Sequence, residues 1–216
     1  MEQAELSREL LSDRIYDLIR ASILDGTRAP GSRLVESELA RRLNVSQAPV
    51  REAVKRLIHS GLAISEPRRG TYVTEISQDE FAIARELRAS LERVGARVAV
   101  ETVTDDDLNH LREIVRQMEG AISAGDSATF RTLDMEFHGS VLKIGQHPIL
   151  ERLWDTLEPV LVSQRAIGDP SFRGDRHRLV GWHLDLIAAL ESRDADAAET
   201  AFYLHAAGAL DPGTAG

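Results

Sequence analysis

Residues 30–73 read PGSRLVESELARRLNVSQAPVREAVKRLIHSGLAISEPRRGTYV. The segment is divided by its own punctuation. Pro30-Gly31 makes a turn. A short helix spans Glu36 to Leu43, and Asn44 is placed to end it in a left-handed conformation. Ser46 is placed to cap a second helix that runs to about Ser60, with Gly61 just past its end. Leu62-Ala63-Ile64-Ser65 and Thr71-Tyr72-Val73-Thr74 then flank a polar tip, Glu66-Pro67-Arg68-Arg69-Gly70, as two short strands about a tight turn. Two short helices followed by a two-stranded wing describe a winged helix-turn-helix, with the helical pair at about 36–55 and the wing at about 62–74.

Working outward, residues from about Leu6 to Leu24 show apolar positions at helical spacing, namely Leu11, Ile15, Leu18 and Ile19. Asp25-Gly26 stops that helix, so the first domain is expected over 7–76. In helix-turn-helix geometry the second helix enters the major groove and offers its first turn to base edges. Here that turn is Ser46-Gln47-Ala48-Pro49-Val50-Arg51. Gln47 and Arg51 lie four apart and share a face. Glutamine pairs bidentately with adenine, and arginine with guanine. Val50, Val54, Leu57 and Ile58 form the opposite stripe, expected to bury against the first two helices. Lys55 and Arg56 are in reach of phosphates, and Arg68 and Arg69, beside Gly70, of the backbone or minor groove. The expected DNA-contacting set is Ser46, Gln47, Ala48, Arg51, Lys55, Arg68, Arg69 and Gly70.

Charge distribution agrees. Arg28 to Val73 holds nine Lys/Arg against four Asp/Glu, a net +5; with −9 overall, the remainder carries −14. A basic segment on an acidic body fits a nucleic-acid module joined to a part that does not touch nucleic acid. There is no cysteine, so neither a disulfide framework nor a cysteine-based zinc finger is available. The charged start lacks a secretory core, and no run approaches the ~18 apolar residues of a membrane span. A cytoplasmic protein without membrane contact is expected.

From Gln78 onward the pattern is helical, with six helices expected at roughly 78–101, 105–124, 126–144, 148–167, 173–192 and 194–208. The expected fold is therefore mostly α, with a six-helix bundle over 78–210. The breaks are Thr104-Asp105, Gly125-Asp126, His147-Pro148, the Gly168-Asp169-Pro170 loop and Arg193-Asp194. Helical phase sorts the histidines. Asp134 and His138 sit amid Phe130, Phe137, Val141 and Leu142; His183 amid Leu179, Leu186, Ile187 and Leu190; His205 amid Ala198, Ala201, Phe202 and Ala209. His59 and His110 fall opposite their apolar stripes, His147 sits in a loop and His177 is off-centre. One carboxylate and three imidazoles thus point into a helical core, where buried polar groups need partners. A divalent cation satisfies all four; the donor set suits zinc first, with nickel, iron or manganese also admissible. Arg88 stands at the edge of the stripe Ala84, Leu87, Leu91 and Val94, where it either enters the cavity to pair with an organic acid or pairs with Glu92 at the surface.

The stretch 30–73, above all VSQAPVREA followed by RL, GL and RRG, resembles the DNA-binding domain of the GntR family. The all-helical remainder resembles the FadR-type branch of that family, whose ligand-binding domain is called FCD. The resemblance implies homodimers that bind palindromic operators and are released by a metabolite, hence a repressor controlled by a small carboxylate effector. Metal-binding FCD domains use an Asp-x-x-x-His pair and two later histidines, which Asp134, His138, His183 and His205 match. Gln47 and Ser37 depart from the family, where arginine is common, and His147 stands where many members have asparagine.

A metalloenzyme is the competing class, but no further buried carboxylate is evident beside Asp134 to serve as general base, and no nucleophile elbow, phosphate loop or HExxH pair occurs. No enzymatic activity is expected. A purely structural cation is the third reading. If an effector acts, it must favour one arrangement of the dimer, with the 78–101 helix, directly after the wing, as the lever.

Overall fold

In the computed structural model, which describes residues 2–163 and 177–209, the chain divides into two units that meet in sequence at Ile76 and Ser77. In the first, helix α1 (Glu2–Leu24) is followed by strand β1 (Arg33–Leu34), helices α2 (Glu36–Leu43) and α3 (Gln47–His59), and strands β2 (Ala63–Glu66) and β3 (Gly70–Val73). Ile15, Ile19 and Ile23 recur every four residues along α1, and all three are buried. They pack with Val50, Ala53, Val54 and Leu57 of α3 in one apolar cluster. Leu18, expected on that face, is 57% exposed. At 100° per residue it lies beside the isoleucine line rather than on it, and Ile23 completes the line instead.

Asn44 ends α2 at φ 53°, ψ 47°, and its amide donates to the Ala40 and Arg41 carbonyls. Ser46 occupies the N-cap of α3, but its hydroxyl accepts no capping bond. The wing is a three-stranded antiparallel sheet in the order β1-β3-β2, with Leu34 opposite Thr71 and Ile64 opposite Tyr72. Strand β1 was not expected, because two residues carry no periodicity. Gly70 has φ 123°, a region closed to L side chains, and an added Cβ would stand 3.0 Å from the Arg33 guanidine nitrogen.

The second unit is helical among its described residues: α4 (Gln78–Thr102), α5 (Asp105–Ser123), α6 (Ser127–Ile144), α7 (Pro148–Ser163), α8 (His177–Glu191) and α9 (Ala195–Ala206). Capping boxes open α4 (Ser77 with Glu80) and α5 (Thr104 with Asp107), and Asp126 and Asp194 cap α6 and α9. The expected Gly168-Asp169-Pro170 loop lies outside the described residues. The core draws Ala96, Ala99 and Val100 from α4, Leu111 and Met118 from α5, Phe137 and Val141 from α6, Leu186 and Leu190 from α8, and Phe202 from α9. Gly95 lets α4 approach α6 closely, since an added methyl there would overlap the Leu142 side chain.

Helix α4 departs from expectation. Its outer face carries Ile83, Leu87 and Val94, which are 63%, 55% and 44% exposed. Its inner face carries Ala84, Arg88, Ala89, Glu92, Gly95, Ala96 and Ala99. The small residues admit the neighbouring helices, and the two charged ones meet partners inside. Arg88 and Glu92 do pair, but in the interior rather than at the surface.

Candidate functional site

Asp134 and His138 project from one face of α6, one turn apart, and meet His183 from α8 and His205 from α9. One ligating atom from each of the four lies within 4.8 Å of every other. Asp134, His138 and His183 are buried, and His205 is half-buried. The imidazole centroids are 4.7–5.4 Å apart. His183 Nε2 stands 3.1 Å from Asp134 Oδ1, and His138 Nε2 3.9 Å from the same oxygen. His183 Nδ1–H donates to the Leu179 carbonyl at 2.7 Å, which leaves Nε2 with its lone pair toward the cluster.

A fifth and a sixth group complete the surroundings. Glu92 Oε2 lies 2.7 Å from His138 Nδ1, an ion-pair contact without full hydrogen-bond alignment. Arg88 Nε donates to Glu92 Oε1 at 2.5 Å, and Arg88 Nη2 stands 3.6 Å from Asp134 Oδ2. Glu92 corrects the expectation that no second buried carboxylate stands beside Asp134: it is 1% exposed. The charged Glu92 interrupts the apolar phase of its helix, so the pattern of α4 pointed to Arg88 and named Glu92 only as a surface partner.

The electrostatics follow from burial. Desolvation, with the neighbouring His183 and His138, pushes His205 well below the usual imidazole range, and desolvation likewise lowers His138 against the pull of Glu92. Desolvation opposes ionisation of Asp134, yet the His183 and His138 rings beside it and the Arg88 guanidinium hold it below the ordinary carboxylate range. Glu92 is held down in the same way, burial being outweighed by Arg88 and His138. Imidazoles lowered in this way, His138 and His205, beside an ionised carboxylate suit metal ligation.

The donor set fits a cation. Asp134 Oδ2, His138 Nε2, His183 Nε2 and His205 Nδ1 are buried without a hydrogen-bond partner. Unpaired buried polar atoms each cost on the order of 1–3 kcal/mol; Asp134 Oδ2 faces Arg88, and the three imidazole nitrogens gathered beside this carboxylate imply a missing partner. Donors on a tetrahedral zinc ion at ~2.1 Å stand ~3.4 Å apart. The four ligating atoms, within 4.8 Å of one another, would be drawn together by a bound ion.

In the first unit, α3 buries Val50, Ala53, Val54 and Leu57 and leaves Gln47, Ala48, Arg51 and Lys55 exposed on the other side, with Ser46 exposed at its N-cap. Arg51 Nε lies 3.2 Å from Glu36 of α2, and Lys55 Nζ 2.9 Å from Glu52. Arg56 pairs with Asp13 and covers the Tyr16 ring at 4.4 Å, so it also fastens α3 to α1. At the wing tip Arg68 (φ 64°) and Arg69 are exposed, and Arg69 reaches Glu66 at 2.5 Å.

Residues 11–73 match the family model described as "Bacterial regulatory proteins, gntR family", and residues 84–208 match the "FCD domain". The chain belongs to the GntR family of bacterial transcription regulators. A GntR relative, the "HTH-type transcriptional repressor RspR" of Escherichia coli (strain K12), is 32% identical over 197 residues, covering 90% of this chain and 85% of that protein. The "Gluconate operon transcriptional repressor" of Bacillus licheniformis is 29% identical over 201 residues, 88% of this chain and 80% of that one. Among solved structures, "E. coli McbR/YncC" superposes with a TM-score of 0.74 at 24% identity, covering 90% of this chain and 94% of that one. These GntR and FCD matches are to transcription regulators, not enzymes. Among the described residues no helix is long and apolar enough to cross a membrane.

Proposed function

We propose that the protein is a repressor whose hold on a palindromic operator is controlled by a small carboxylate effector bound at a divalent cation, zinc in the first instance. The cation's ligands are Asp134, His138, His183 and His205. The observation that carries this reading is the convergence of one carboxylate and three imidazoles, the imidazoles each with a buried nitrogen that has no hydrogen-bond partner. A bound divalent ion supplies Lewis-acid attraction for an anionic ligand.

Charge supports the effector class. Arg88 balances one of the two buried carboxylates, Glu92 and Asp134, and with neutral imidazoles one negative charge is left. A divalent cation turns that into one positive charge, which a monocarboxylate neutralises inside a low-dielectric interior. Arg88 lies beside Asp134 and offers the guanidinium that suits a carboxylate.

The DNA-reading residues are Gln47 and Arg51 for base edges, with Ser46, Ala48, Lys55, Arg68, Arg69 and Gly70 against the backbone and grooves. Their support is the exposure of this face of α3 and of the wing tip. Two such helices about one turn of DNA apart, ~34 Å, require a dimer. The stripe Ile83, Leu87 and Val94, exposed on α4 with Leu91 half-buried between, is the kind of apolar surface a second copy covers.

Calorimetry of tag-free protein, zinc-loaded and chelator-stripped, against a panel of mono- and dicarboxylates tests the reading, followed by operator binding with each acid that gives heat. One acid is expected to bind the loaded form and to weaken operator affinity ~5–150-fold. Silence of the loaded form across the panel would leave the cation a purely structural role.

A further inference from the structure

We propose that Glu92 is the positioning residue of the metal centre: it holds His138 through Nδ1 so that Nε2 is the atom offered to the cation, and the shared guanidinium of Arg88 ties it to Asp134. The inference rests on the metal reading above and adds a residue that lies outside the four converging ligands.

Two pairs at i, i+4 spacing face each other across packed helices. Arg88 and Glu92 stand on α4, and Asp134 and His138 on α6. Each member of one pair meets a member of the other: Glu92 Oε2 to His138 Nδ1 at 2.7 Å, and Arg88 Nη2 to Asp134 Oδ2 at 3.6 Å. The loop of contacts is closed by Arg88 Nε to Glu92 Oε1 at 2.5 Å. None of the four is more than 7% exposed.

A carboxylate at Nδ1 places the ring proton there, and Nε2 is left as the lone-pair nitrogen. His183 is set the same way by the Leu179 carbonyl. Among the described residues no carbonyl accepts from His138 Nδ1, and Glu92, at 2.7 Å, takes that role. Burying a carboxylate for this purpose requires a counter-charge, which Arg88 provides. Because Arg88 also reaches Asp134, displacement of Glu92 alters both the orientation of one ligand and the charge on another.

The test compares wild-type protein with Glu92→Leu and Glu92→Gln. Zinc affinity is read by chelator competition, the visible spectrum with cobalt in place of zinc, and folding of the metal-free protein by thermal melting. Leucine removes acceptor and charge, and zinc affinity is expected to fall ~10–100-fold with a changed cobalt spectrum. Glutamine keeps an acceptor for Nδ1–H, and the loss is expected to be smaller. A residue that merely neutralises Arg88 would move the melting temperature alone. Folded variants that bind zinc within twofold of wild type, with an unchanged cobalt spectrum, overturn the inference; if Glu92→Leu does not fold, Glu92→Gln alone decides by the same criterion. A wild-type chain that binds neither metal overturns the metal reading itself, and this inference with it.

Discussion

Single side chains carry distinct duties on the reading helix. Arg51→Ala is expected to cost ~1–3 kcal/mol of operator binding and to relax specificity at one position per half-site, read by binding to operators permuted base by base. Lys55→Ala should weaken all sequences alike and reduce the slope of log affinity against log salt by about one. In the helical unit, His183→Ala removes one of the four proposed ligands and is expected to abolish metal retention through dialysis, measured by elemental mass spectrometry. Helical phase alone exposed Asp134, His138, His183 and His205 as core-facing, because each sits amid aliphatic or aromatic neighbours one turn away. Arg88 was legible as a candidate, but the burial of Glu92 was not, because the opposite face of α4, with Ile83, Leu87, Leu91 and Val94, is the more apolar. Hydrophobicity separates the faces of a helix but does not say which faces the core and which faces a partner.

At the scale of elements, local backbone chemistry sets the reading head. Asn44 accepts the left-handed geometry that ends α2, and Asn44→Ala is expected to destabilise the first unit by ~1 kcal/mol, read by denaturant melting. Gly95 permits the α4–α6 approach that brings Glu92 to His138. Gly95→Ala is expected to destabilise the protein, since overpacking of ~1–3 kcal/mol exceeds the up to ~1 kcal/mol that alanine gains in helix propensity. Helix order and most caps were legible because Asp, Ser and Thr stand where α4, α5, α6 and α9 begin. Strand β1 was not, since its place beside β3 is a tertiary contact. The second role of Arg56 was not legible either: only the fold brings Asp13 and Tyr16 of α1 to it.

For the whole molecule, the proposed dimer makes operator binding depend on two reading heads acting together, with the apolar stripe on α4 as the proposed place of their union. Leu87→Asp alters a side chain that is 55% exposed, so the fold should persist while sedimentation shows a monomer and operator affinity drops steeply. The central claim is that one acid and three imidazoles hold a cation in the helical unit. The direct measurement is an anomalous-scattering map from crystals of tag-free protein grown with zinc. The account predicts one strong peak per chain among Asp134, His138, His183 and His205; no peak there, with the four side chains turned apart, would contradict it.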